Sequence, residues 1–208
     1  MHIQKNGQKS ASIQIISETD SWWVEYPADQ FSACENRFFV RIGESTFSEQ
    51  GIRISVQKDG ISLRGSVSFG PTLPIRYDIM GPFRWLPNME CSHSVISMSH
   101  RLDGCLILNG EKLDCSGGLG YIESDRGRSF PENYLWTQCC WENSSIMLSI
   151  ASIPALRIQF TGCICAIVHE GKEYRIATYK GARVVQWSKD YALVQQGKYR
   201  LEVQLLKQ

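Results

Sequence analysis

Two carboxylates, Glu123 and Asp125, stand two residues apart in the run Gly117-Gly118-Leu119-Gly120-Tyr121-Ile122-Glu123-Ser124-Asp125-Arg126-Gly127-Arg128-Ser129-Phe130-Pro131. In an extended chain Tyr121, Glu123 and Asp125 share one face, with the carboxylates roughly 7 Å apart by strand rise. Two enclosed carboxylates raise each other's pKa, and a carboxylic acid kept protonated near neutral pH is what acid catalysis needs. The alternative is a strand end where the same groups pair with Arg126 and Arg128. A second group is Glu90, His93 and His100. His93 and His100 differ by seven positions, so a regular strand sends them to opposite faces and they do not share a metal. Glu90 and His93 can still reach one pocket. Neither a metal nor another cofactor is expected.

Aromatic residues crowd the same stretches: Trp85, Tyr121, Trp136 and Trp141, with Gln138 beside them. Aromatics around a cavity can stabilise a carbocation through the ring quadrupole, or they can be core. The glycines at 117, 118 and 120 lack dinucleotide-loop spacing and precede no helix, so they mark a bulge or a close backbone approach. No serine lies in a GxSxG setting, which excludes a hydrolase elbow.

The elements that must carry these residues alternate with period two. Arg37–Ile42, Gly51–Gln57, Ile61–Phe69, Ser94–Ser99, Gly104–Leu108 and Glu111–Cys115 read as strands. Lys58-Asp59-Gly60 and Asn109-Gly110 are hairpin turns. Leu119–Glu123, Tyr134–Trp141, Ile146–Ala151, Ile158–Val168, Glu173–Tyr179, Val184–Trp187, Tyr191–Gln195 and Tyr199–Leu205 continue the pattern. No stretch forms a convincing amphipathic helix. The expectation is an all-β, antiparallel barrel or sandwich with little or no helix. It is taken as one domain over 1–208, with an internal boundary near 79–90 between β halves 10–78 and 91–208. Two prolines in the apolar run Ile79–Glu90 preclude a central strand, so this is a domain junction or a functional loop crossing a barrel mouth.

Composition narrows the function classes. Of 208 residues, 22 are Lys or Arg and 21 Asp or Glu, for a formal net charge of +1. That balance lacks the basic excess of a nucleic-acid binder, and no apolar run is long enough to span a membrane. The polar N-terminus lacks the core of an export signal, so a reducing, cytoplasmic setting is expected, with a membrane-peripheral role left open. The eight cysteines contain no CxxC pair and are expected as free thiols, mostly buried.

Asp78-Ile79-Met80-Gly81-Pro82-Phe83, Met89-Glu90-Cys91-Ser92-His93-Ser94-Val95-Ile96-Ser97-Met98 and the segment Gly120–Pro131 with Trp136 and Gln138 resemble the bacterial branch of the tocopherol cyclase family. The resemblance is dense from about Asp78 to Tyr179. It implies a lipocalin-related barrel, akin to the carotenoid hydratase group, holding a prenyl quinol or polyprenyl lipid. In that family an acid protonates a prenyl double bond and a phenol oxygen captures the tertiary cation, an intramolecular lyase reaction. Carried onto this chain, Glu123 and Asp125 are the acids, with Glu90 and His93 as orienting or relay groups. Tyr121, Trp136, Trp85, Gln138 and Trp141 are the ligand-binding residues. The chain departs from the family pattern at Ser124, usually Lys, and at Arg126, usually Trp. A guanidinium there is expected beside the acids, favouring their charged form. The resemblance also makes the chain short, and an incomplete barrel would associate with copies of itself through exposed strand edges. Two function classes stay open: a catalyst, and a non-catalytic carrier, sensor or interaction module.

Overall fold

Alternating apolar residues fold the chain into antiparallel β structure wherever turn residues allow it to reverse. The computed structural model describes residues 2–3, 7, 9–58, 60–85, 91–155 and 158–205. Among them the only helical elements are three short 3-10 turns, at Ala28–Gln30, Gly81–Trp85 and Thr178–Lys180. No helix there is long and apolar enough to cross a membrane. The protein is all-β, and no sheet among the described residues closes on itself.

The strands group into two compact units, Met1–Pro71 with Arg101–Gly118, and Thr72–His100 with Leu119–Gln208. The division does not fall within the expected 79–90 stretch. Ser94–Ser99 and Gly104–Leu108, read as separate strands, are one 18-residue strand, β9 (Cys91–Leu108), which passes from one unit to the other.

The first unit holds β1 (His2–Ile3), β2 (Lys9–Ile16) and β3 (Ser21–Pro27) as one sheet. A second runs in the order β10-β9-β8-β7-β6-β5-β4. Its members are β4 (Phe31–Ala33), β5 (Phe39–Ile42), β6 (Ser45–Ser48), β7 (Gly51–Lys58), β8 (Ile61–Phe69), the end of β9, and β10 (Glu111–Asp114). Asn109 and Gly110 both take positive φ, 49° and 91°, the backbone that a two-residue hairpin turn requires. Ile54, Val56, Ile61 and Leu63 from β7 and β8 pack with Ala11, Ile13 and Val24 from β2 and β3, making an apolar core.

In the second unit, β11 (Leu119–Gly127) pairs with β9. A four-stranded sheet follows in simple order: β12 (Tyr134–Trp141), β13 (Ser144–Ala155), β14 (Ile158–His169) and β15 (Lys172–Ala177). The last sheet is β16 (Arg183–Trp187), β17 (Tyr191–Gln196) and β18 (Tyr199–Gln204). Both faces of β13 and β14 are buried. Leu148, Ile150, Cys163 and Cys165 pack with Ala192 and Val194 of β17. Met147, Ala166 and Val168 face the other way, against Ile79, Met80, Val95 and Met98. That second face carries the site.

All eight cysteines are free thiols. Burial holds for Cys163 and Cys165 on β14, whereas Cys34 and Cys139 are exposed and the other four lie between. The strand alternation that hides one thiol shows its neighbour, as at Cys139 and Cys140.

Candidate functional site

The size of the side chains along β13 and β14 opens a cavity at one end of the Met147–Ala166 face. Met147 fills its position completely, but the next residues on that face are Ser149 and Ala151, paired across to Ile164 and Gly162. Small side chains there leave a cavity of about 280 Å³. Ile153 and Ile164 form its floor, Met80 and Phe83 one wall, and Phe130, Tyr134 and Trp136 another. The remaining wall is polar: His93, Glu123 and Asp125, with Cys91 beside them.

His93 comes from β9 and is 8% exposed. Its imidazole lies between two carboxylates of β11. Nδ1 bonds to Asp125 Oδ1, and Nε2 lies 3.1 Å from Glu123 Oε2. The second contact is within ion-pair distance but is not aligned as a hydrogen bond. Alternation along β11 puts Tyr121, Glu123 and Asp125 on one face, which explains the grouping. Tyr121 Oη donates to Glu123 Oε2 at 2.7 Å, and Trp136 Nε1 donates to the same oxygen at 3.2 Å. One carboxylate oxygen therefore meets three groups.

Burial by itself pushes the His93 pKa down. The bond to Asp125, the close contact with Glu123 and the charges of both carboxylates outweigh that and raise it to about 9. His93 is an imidazolium at neutral pH, and the trio carries a net charge of −1. Burial, the bond to Glu123 and the adjacent negative charge push the Tyr121 phenol up, so it stays a donor. Cys91 is pushed up to about 11, by burial first and then by the charge on Asp125, so it remains a thiol.

His100 has different partners. Its Nδ1 lies 3.0 Å from Ser97 Oγ, and burial lowers its pKa. Gly120 packs on this ring: a Cβ there would sit 2.3 Å from His100 Nε2. The glycine cluster thus includes the close approach read from its sequence.

Arg126, expected beside the acids, is exposed and alternates onto the opposite face of β11. Of the aromatic residues singled out by sequence, Trp136 lines the cavity. Tyr121 acts through Glu123 and lies 6.4 Å from the Trp136 ring. Gln138 instead bonds Cys140 Sγ, and neither it nor Trp141 lines the cavity. Trp85 is 79% exposed beneath the guanidinium of Arg84, outside the lining. Glu90 lies outside the described residues. Sequence reasoning missed Ser149, Ala151, Ile153, Gly162 and Ile164. Their period-two spacing on adjacent strands was the available signal.

The 79–85 stretch is anchored from beneath. Arg175, buried on β15, donates to the carbonyls of Tyr77 and Asp78 and pairs with Glu173 at 2.9 Å. Tyr179 Oη donates to the Ile79 carbonyl, and its ring meets Phe83 edge-on. These contacts fix the backbone that presents Met80 and Phe83 to the cavity.

An imidazolium clamped by two carboxylates on the wall of an otherwise apolar cavity defines a site able to hold an apolar molecule against a proton-transfer group. No protein family, curated protein or solved structure matches the chain.

Proposed function

We propose that the second unit binds a prenylated quinol or related polyprenyl lipid and protonates one of its double bonds. The observation carrying this reading is the His93–Glu123–Asp125 group on the wall of the apolar cavity. Asp125 is the proton donor, because Glu123 Oε2 already meets His93, Tyr121 and Trp136. Asp125 takes the Nδ1 proton of the His93 imidazolium and gives it to the less substituted alkene carbon, leaving a tertiary cation at the other. The rings of Trp136 and Tyr134 face that charge. A phenol oxygen attacks the cation and its proton returns through the Asp125 carboxylate to His93, so the net change is an isomerisation. Capture by water instead gives hydration. His93 holds Asp125 in place, and Glu123 holds His93.

The saturation of Glu123 favours a second reading, a carrier that holds its lipid unchanged, with the trio serving as a rigid polar wall. Incubation with a panel of prenyl hydroquinones in deuterium oxide separates the two. Catalysis yields a chromanol with one deuterium on the ring carbon beside the new C–O bond, and Asp125→Asn abolishes it. Retention of an unaltered quinol supports the carrier. Neither turnover nor retention overturns both readings.

A further inference from the structure

The charges around the cavity are one-sided. The charged wall groups, His93, Glu123 and Asp125, stand among mostly apolar and small residues, and no Lys or Arg lines it among the described residues. Two carboxylates against one imidazole leave net negative charge whichever form His93 takes. The same lining holds the rings of Phe83, Phe130, Tyr134 and Trp136. Ring faces attract cations, and Trp does so most strongly. Asp125 keeps 28% of its side chain accessible and so can meet a ligand directly. Arg126, the next residue along β11, is exposed and alternates onto the opposite face.

We propose that this cavity is selective for organic cations, molecules with an apolar body of about one ring and a single ammonium-type charge beside Asp125. This goes beyond the preceding function, since it concerns which ligand charge the cavity prefers whether or not anything is protonated there. It does not require a protonated substrate, a turnover step or the full polyprenyl tail. Its physical basis is desolvation: an apolar cavity strips water from the ligand, and only a cation recovers the loss from carboxylates and ring faces.

Calorimetric titration of the whole chain with benzyltrimethylammonium tests this, with neopentylbenzene, its uncharged isostere, as competitor and phenylacetate as the anionic control. The cation should bind about tenfold more tightly than the neutral isostere, the size of one or two ring and carboxylate contacts. Phenylacetate should not bind. Asp125→Asn should erase the preference, and Trp136→Leu should reduce it independently. Equal affinity for cation and isostere, or a preference that survives both substitutions, overturns the proposal. The outcomes also separate it from the reading above. Deuterium-labelled chromanol without cation preference sinks this inference alone, whereas cation preference without turnover sinks the catalytic reading alone.

Discussion

The two units spend their buried volume differently. Among the described residues of the first unit the buried polar residue is Ser45, whose hydroxyl accepts from the Ser55 amide and donates to the Ser55 carbonyl. The second unit buries His93, Ser97, His100, Ser144, Ser145 and Arg175. Burying a polar group costs stability unless it is bonded, so a fold that keeps many of them is organised around what they hold. The first unit is a packed sheet assembly, and the second combines packing with a polar wall, a cavity and an anchored strap. The proposed site belongs to the second.

That contrast can be broken most severely at Arg175. Arg175→Ala removes a buried guanidinium bonded to Glu173, Tyr179 and two backbone carbonyls. The expected loss is about 3–5 kcal/mol in urea unfolding of the second unit. A loss below 1 kcal/mol would mean the strap does not depend on this side chain.

The His93 titration comes next. Its folded pKa, about 9, lies above the unfolded value near 6.5, so the folded state holds the proton more tightly. The groups facing it are Asp125, Glu123, Cys91 and Tyr121. The resulting stability, on the order of 3 kcal/mol, is fully present below pH 6.5 and is lost as pH rises through about 9. Urea midpoints from pH 6 to 10 should fall in the parent and stay flatter in His93→Gln. Parallel curves would remove the imidazolium from the account.

Gly120→Ala pushes a methyl into the buried His100 ring and should cost about 1–3 kcal/mol. Ser45→Ala, the matched test in the first unit, removes one hydroxyl bridge and should cost about 1 kcal/mol, without altering ligand binding. If Ser45→Ala proved the more damaging, the division of labour drawn here would be reversed.

Much of this architecture is legible in local sequence. Ile61–Phe69 and Tyr134–Trp141 are strands at the bounds their alternation predicts, because turn residues punctuate both ends. The Tyr121–Glu123–Asp125 face follows from period two alone. Lys9–Ile16 escapes such reading, since serines and a glutamine interrupt its apolar residues and pairing with Ser21–Pro27 supplies the rest. The cavity was illegible for a different reason. Ser149, Ala151 and Gly162 mean open space only once Met147 and Ala166 are known to fill the same face. Residue type also fails to say which way a ring points, as Trp85 and Trp141 show by lying outside the lining.

β9 belongs to one unit up to His100 and to the other from Arg101, so the first unit is assembled from two separate stretches of chain. During synthesis, the ribosome has delivered β8 long before its neighbour on that edge, Leu102–Leu108, exists. The first unit cannot close until Gly118 has emerged, by which time the opening strand of the second is already made. A nascent chain halted near residue 90 therefore displays an unpaired strand edge, the moment in its life when this protein is most exposed to chaperones and to its own copies.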